Sequence, residues 1–371
     1  MTTPQNHHHR HHSHSHRRLR HSTFFILHST LALSVFSALC ALNTLNAQKL
    51  DYANDPSGLL QEQARQVFAQ AYKVLDAHPP AATANAAATD ERKLALYSLD
   101  TLLHDIRLDG TPAFLDYMKI VADRALRTLE APAPATGLVV QRLYNHGFII
   151  RTPTVTIGID LDGGTTKKRF IDSARLQAIA KRCDILFITH EHEDHADIEV
   201  ARYFIQQGKP VIAPKIPDTW PDAPDVTTRL TLLRAADPLD KSILLHSTGA
   251  KLSVRIYPGH QGKAENNLYL ITTPEGKTIM HTGDQNNADD LKWIARIGDD
   301  RPVDILLMQC WCRTPAKFIE GIRPALIITG HENEMNHTID HREPYWLTYR
   351  RFESIPTPAV IMAWGERLDL K

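Results

Sequence analysis

Residues 184–195 read Asp184-Ile185-Leu186-Phe187-Ile188-Thr189-His190-Glu191-His192-Glu193-Asp194-His195, a short apolar run that ends in three imidazoles and three carboxylates. The run has the length and apolar character of a buried β-strand, and Ala196 and Asp197 behind it begin a helical pattern. Packing does not account for so many polar side chains at a strand end. Histidine and carboxylate at alternating positions of an extended turn can point into one pocket, where they offer the N and O ligands that suit zinc, or iron and manganese with less preference.

Working outward, the chain from Leu138 onward is a series of short apolar runs punctuated by Gly, Pro and Asn: LVVQRLYN, GFIIRT, TVTIGIDL, DILFITH, PVIAPK, KLSVRIYPGH, NLYLIT, KTIMHTGD, DILLM and ALIITGH. Helical patterns at Asp172–Lys181 and Ala196–Gln207 lie between them, so the expected fold class is α/β with layered sheets. Several of these runs end in His or Asp. His260 (YPGHQG), Asp284 (HTGDQ) and His331 (ITGHEN) repeat the feature seen at His190.

The H-x-H-x-D-H stretch after a strand, followed in order by His260, Asp284 and His331, resembles the signature of the metallo-β-lactamase-fold superfamily. The resemblance covers about residues 138–340 with four motifs. It implies a four-layer αββα sandwich over residues 134–371, one metal ion held by His190, His192 and His260, and a second by Asp194, His195 and His331. Asp284 would bridge the two ions. Asp160 in TIGIDL resembles the aspartate that supports the ligand loop without binding metal, with Asp162 as its competitor. The expected cofactors are two divalent ions, zinc first, with manganese or iron as alternatives.

The implied chemistry is hydrolysis of an ester, lactone or phosphodiester by a metal-bridging hydroxide, with Asp194 orienting it or receiving a proton. Asp284 stands where a two-zinc β-lactamase of the best-known type carries Cys, which argues against antibiotic hydrolysis. The LYNHGF segment, with His146 as a candidate catalytic or pocket residue, is similar to the branch containing ascorbate-phosphate lactonase and the N-acylphosphatidylethanolamine phospholipase. A small-molecule or lipid-like substrate follows from that likeness. His337 and His341 compete with His331 as the last ligand, and His281 is assigned to the surroundings of the site. An iron-dependent redox protein on the same fold and a non-enzymatic binding module are the rival classes.

Ahead of this domain, residues 48–133 read as a helical subdomain. Leu59, Leu60, Ala64, Val67, Phe68 and Ala71 recur at helical spacing behind the capping candidate Ser57; Pro79–Ala88 breaks the pattern as a linker. Further helices are expected from near Asp90 and from about Pro112 to Leu129.

The full chain has 371 residues, 42 Lys+Arg against 42 Asp+Glu, 43% hydrophobic residues and 4 Cys. That balance excludes a disordered or disulfide-stapled chain, and it gives no basic surface for nucleic acid. Arg10, Arg17, Arg18 and Arg20 precede the apolar run Phe24–Leu42 and the small residue Ala47, the order of a signal peptide ending at residue 47. Export to the periplasm or medium is therefore expected, with no stable membrane span after cleavage; an uncleaved anchor is the alternative. The His-rich stretch 7–16 would leave with the signal. Cys183 reads as a buried apolar residue, and Cys310-Trp311-Cys312 lacks the second cysteine pair of a zinc site.

Overall fold

The computed structural model describes residues 55–82, 89–165, 167–220 and 222–371. The signal-peptide reading, the His-rich stretch and residues 83–88 of the linker lie outside the described residues. Residues 61–371 form one compact unit. Among the described residues no helix is long and apolar enough to cross a membrane.

Three helices come first: α1 (Pro56–Ala77), α2 (Asp90–Leu103) and α3 (Pro112–Glu130). The start of α1 departs from expectation. Asp55, not Ser57, stands ahead of the first turn, and its carboxylate accepts the Gly58 N–H at 2.6 Å, because Pro56 already occupies the first helical position. Helix α2 is capped by Thr89 and α3 by Thr111, whose hydroxyls accept the Arg92 and Phe114 N–H groups.

The strands follow in two sheets. The first has the order β14 (Arg367–Leu370), β1 (Leu138–Arg142), β2 (Phe148–Arg151), β3 (Thr156–Ile159), β4 (Ile185–Phe187), β5 (Val211–Ala213) and β6 (Thr231–Leu232). The second has the order β13 (Ala359–Val360), β12 (Leu326–Gly330), β11 (Ile305–Gln309), β10 (Thr278–His281), β9 (Ala264–Thr272), β8 (Lys251–Gln261) and β7 (Leu239–Leu244). Helix α4 (Ser173–Arg182) connects β3 to β4, and α5 (Ile198–Gln206) connects β4 to β5, with Asp172 and Asp197 as caps; the single-turn helices α6 (Pro224–Thr227), α7 (Leu291–Ile294) and α8 (Ile297–Asp300) come later.

Side-chain alternation decides how the layers stack. Tyr269 and Ile271 of β9, Ile305 and Leu307 of β11, and Ile328 of β12 point between the sheets, where they meet Val140, Phe148, Ile157, Ile185 and Phe187 of the first sheet. Their neighbours Leu268, Leu270, Leu306, Met308 and Ile327 point the other way, against Phe318 and Ile322 of helix α9 (Pro315–Ile322), Phe352 of helix α10 (Tyr345–Phe352), and Ile294 and Ile297. Each such fully buried aliphatic or aromatic side chain contributes roughly 1.5–3 kcal/mol. Strands buried on both faces are apolar on both, as residues 185–187 and 326–328 are. Helices α3, α4 and α5 cover the first sheet, so the layers run helix, sheet, sheet, helix: the expected α/β sandwich.

The early helices are tied to this sandwich by buried polar contacts. The Arg92 guanidinium makes two 2.7 Å hydrogen bonds to the Glu366 carboxylate, and the pair is almost wholly buried. The Tyr72 hydroxyl donates to the Trp364 carbonyl, and Tyr117 stacks on Phe68 with ring centroids 4.1 Å apart.

Candidate metal centre

Parallel pairing brings the candidate ligands together. Strands β3 and β4 run side by side with Ile159 opposite Phe187, so the residues that follow them, Asp160 and the loop 188–195, emerge at the same end of the sheet. In the second sheet β10, β11 and β12 are also parallel, and they deliver Asp284 three residues after β10 and His331 directly after β12. Placing sites at strand ends is the usual consequence of parallel pairing in layered α/β folds. Two local conformations are special. Gly283 has φ +52° and packs so tightly on Thr189 and Asn266 that a Cβ would force their side chains to shift; His331 has φ +73°, which a non-glycine residue holds only when its surroundings fix it.

Asp194, His195, Asp284 and His331 each offer one ligand atom, and these four atoms all lie within 4.8 Å of one another. His195 Nε2 is 3.1 Å from Asp194 Oδ2 and 3.3 Å from Asp284 Oδ1; His331 Nε2 is 3.3 Å from Asp194 Oδ2 and 3.2 Å from Asp284 Oδ2. Yet neither imidazole Nε2, nor Asp284 Oδ1, is aligned to form a hydrogen bond with any of the described residues. Buried polar atoms that converge without bonding one another are what a cation needs. Two imidazoles and two carboxylates make a donor set that fits zinc, manganese or iron.

The charges agree with that reading. Burial opposes ionisation of Asp284, but His331 and His195 outweigh it and hold the carboxyl well below the usual range. Asp194 is likewise held low against burial by His195 and His331. In turn burial opposes a proton on His331, and Asp284 and Asp194 overcome it, so its pKa is pushed up to about 10. Protons thus balance the two carboxylates when no metal does, and a divalent ion would replace them.

Asp160 supports the set. Its Oδ1 accepts the Thr189 N–H at 2.8 Å, and its Oδ2 accepts the Thr189 hydroxyl at 2.6 Å and lies 2.8 Å from His195 Nδ1. The competitor Asp162 stands elsewhere. Its Oδ1 accepts the Gly164 N–H, and burial together with Asp197 and Asp194 pushes its carboxyl well above the usual range.

The three other expected ligands lie outside this group of four. His190 is buried with its ring 4.1 Å from that of His195, and its Nε2 is 3.1 Å from Nδ1 of the exposed His192. Burial and the neighbouring His195 push the His190 pKa down to about 3, which keeps its ring neutral and able to ligate. His260 is the penultimate residue of β8, with its Nδ1 3.1 Å from Asp290 Oδ2, which leaves Nε2 for other use. Among the competitors for the last position, His337 pairs with Glu334 at 2.7 Å and His341 is largely exposed, so His331 is the one in the group.

His146 lies next to the group of four. It is fully buried, with its ring 4.2 Å from His281, about 6 Å from His195 and His331, and neither nitrogen partnered among the described residues. Burial, His281 and His195 keep it neutral. The His281 Nδ1 accepts the Gly283 N–H, so its Nε2–H donates to the His146 carbonyl at 3.1 Å. That bond ties the His146 turn to the strand that leads to Asp284.

Several supporting residues carry no local sequence signal. The Asn145 side-chain amide donates to Asp194 Oδ2 at 3.0 Å, while the Asn145 backbone carbonyl accepts from the Arg142 guanidinium and the His331 N–H. The Gln261 amide donates to Asp284 Oδ2 at 3.0 Å, and Asn266 Oδ1 accepts the Asp284 N–H at 3.0 Å. Buried Arg142 also pairs with buried Glu332 at 2.7 Å, directly beside His331. Beside the centre a cleft of about 880 Å³ is lined by Gln261, Asn286, Trp311, Arg313, His341 and Leu347, among others; the Trp311 ring stands edge-on to His331 at 5.7 Å.

No protein-family model matches the chain, and no curated protein matches it either. Solved structures do. Igni18, a metallo hydrolase from Ignicoccus hospitalis KIN4/I, is 18% identical with TM-score 0.47, over 64% of this chain and 99% of that one. CmlA, a diiron β-hydroxylase from Streptomyces venezuelae, is 15% identical with TM-score 0.44, over 65% of this chain and 55% of that one. The chain is also similar in structure to the metallo-β-lactamase-fold protein YhfI from Bacillus subtilis, 12% identical with TM-score 0.41, over 63% of this chain and all of that one.

Proposed function

We propose that this protein is a metal-dependent hydrolase acting on an ester, lactone or phosphodiester of a small or lipid-like molecule. The observation that carries the reading is the convergence of Asp194, His195, Asp284 and His331, with both Nε2 atoms left without hydrogen bonds. A divalent ion held there, zinc first and manganese or iron by the same donor set, would supply Lewis acidity and a water ionised near neutral pH. The rest falls to the chain's own residues. Asp160 fixes the tautomer of His195, Asn145 and Gln261 hold the Asp194 and Asp284 carboxylates in place, and the cleft beside Trp311 admits the substrate. His190, His192 and His260 are proposed to hold a second ion. The basic-then-apolar order of residues 10–47 supports an exported enzyme.

The test is elemental analysis of untagged protein together with a panel of chromogenic esters, lactones and phosphodiesters, run on the wild type and Asp284→Ala. Zinc or manganese in the wild type, with hydrolysis lost in a folded Asp284→Ala, supports the proposal. Hydrolysis that survives in Asp284→Ala sinks it, and activity that requires iron and dioxygen would move the protein to the redox class.

A further inference from the structure

We propose that Asp100, on helix α2 and outside the sandwich, is a positioning residue for the metal centre: it anchors the loop from His331 to Pro344 and so determines where the His331 imidazole stands. The inference rests on the metal-centre reading above. Asp100 is 5% exposed and its carboxylate accepts three hydrogen bonds. The Asn333 side-chain amide and the Tyr345 N–H each reach Oδ1 at 2.8 Å, and the Trp346 N–H reaches Oδ2 at 3.1 Å.

Those donors sit at the two ends of one loop. Asn333 lies two residues beyond His331, with φ +58° and its own N–H on the Glu343 carbonyl at 2.9 Å. Tyr345 and Trp346 open α10, whose own preceding residue, Pro344, provides no side-chain cap. Asp100 therefore caps α10 from a distant helix and clips the start of the loop to its end with a single carboxylate.

Neighbouring residues of the same segment reinforce the clip. His104 Nε2 is 2.9 Å from the Arg342 carbonyl. The Arg342 guanidinium donates outward to the Leu103 carbonyl and both Asp109 oxygens, and inward to the His337 carbonyl. His331 holds its left-handed backbone with its N–H on the Asn145 carbonyl, and the segment that continues from it through the left-handed Asn333 is fastened here. The same loop forms a wall of the cleft through His337, His341 and Glu343.

The experiment measures zinc affinity by competition with a chromogenic chelator, on the full chain, for the wild type, Asp100→Asn, Asn333→Gly and Tyr72→Phe. Far-UV circular dichroism and thermal unfolding are recorded for each. Asn333→Gly removes the same contact from the loop side and tolerates positive φ. Tyr72→Phe loosens the helices at a different place, by removing the hydrogen bond to Trp364. Expected is a ~10- to 100-fold loss of zinc affinity in Asp100→Asn, a smaller loss in Asn333→Gly, and wild-type affinity in Tyr72→Phe even where its melting temperature falls. Wild-type affinity in both loop variants overturns the inference and leaves the metal centre standing. Failure of the wild type to bind zinc, manganese or iron overturns the metal-centre reading and the inference with it.

Discussion

Asp160 Oδ2 and His195 Nδ1 stand 2.8 Å apart with both side chains fully buried, and the same carboxylate takes the N–H and the hydroxyl of Thr189. This one aspartate therefore sets both the tautomer of His195 and the conformation of the turn that leads into His190. Replacing it by Asn keeps the shape but removes the charge that holds the Nδ1 proton. Asp160→Asn is expected to weaken zinc binding ~10- to 100-fold, measured by chelator competition. Unchanged affinity would show that His195 needs no such support.

Gly283 has an equally local role. A Cβ there would stand 2.1 Å from Asn266 Oδ1 and 2.7 Å from Thr189 Oγ1, at φ +52°. Gly283→Ala must push away the oxygen that accepts the Asp284 N–H. Thermal unfolding of the metal-free variant should give a loss of about 1–3 kcal/mol.

Asp290 reports on the number of ions. Its carboxylate orients His260 and also accepts the Gln285 amide at 2.8 Å. If His190, His192 and His260 hold a second ion, Asp290→Ala should retain close to one zinc per chain under a chelator concentration at which the wild type retains two. Equal retention by the two proteins would remove His260 from the ligand set.

Asp100 gives the pH dependence. Burial pushes its pKa up to about 6, against the pull of Asn333 and the α10 N–H groups. A carboxyl whose folded pKa lies above its unfolded value binds more protons when folded, so stability falls as pH rises from about 4 through 6. The metal-free wild type should therefore lose roughly 3 kcal/mol relative to Asp100→Asn across that window, as read by chemical denaturation at several pH values. Parallel curves for the two proteins would contradict the assignment.

Trp311 borders both the cleft and His331. Its removal should cost substrate binding more than chemistry. Trp311→Ala is expected to raise KM roughly tenfold, equivalent to ~1.4 kcal/mol, with little change in kcat. The kinetics of the first ester or phosphodiester found to be hydrolysed provide the check.

Much of the architecture was legible in the chain because its causes are local. Apolar runs such as DILFI and ALIIT must be strands buried on both faces, and the patterns at residues 90–103 and 112–130 must be helices, since each pattern recurs at the spacing of its element. Ligand candidates were legible for the same reason, as they follow those runs directly. Strands β6, β7, β13 and β14 were not, being short or half-exposed and lacking a strong periodic signal.

The sequence by itself determined the α/β class, with its alternating strands and helices, and the polar residues at the strand ends. Only the tertiary structure puts Asp160, and not Asp162, against His195, and brings His331, and not His337 or His341, into the group of four, because such meetings depend on how two sheets pack. It also brought in Asn145, Gln261, Asp290 and Asp100, the last of which lies 233 residues from Asn333. Hydrophobic periodicity is written within a few residues of itself, whereas a carboxylate that orients a distant ligand is defined by its partner. That partner is fixed only once the layers have packed.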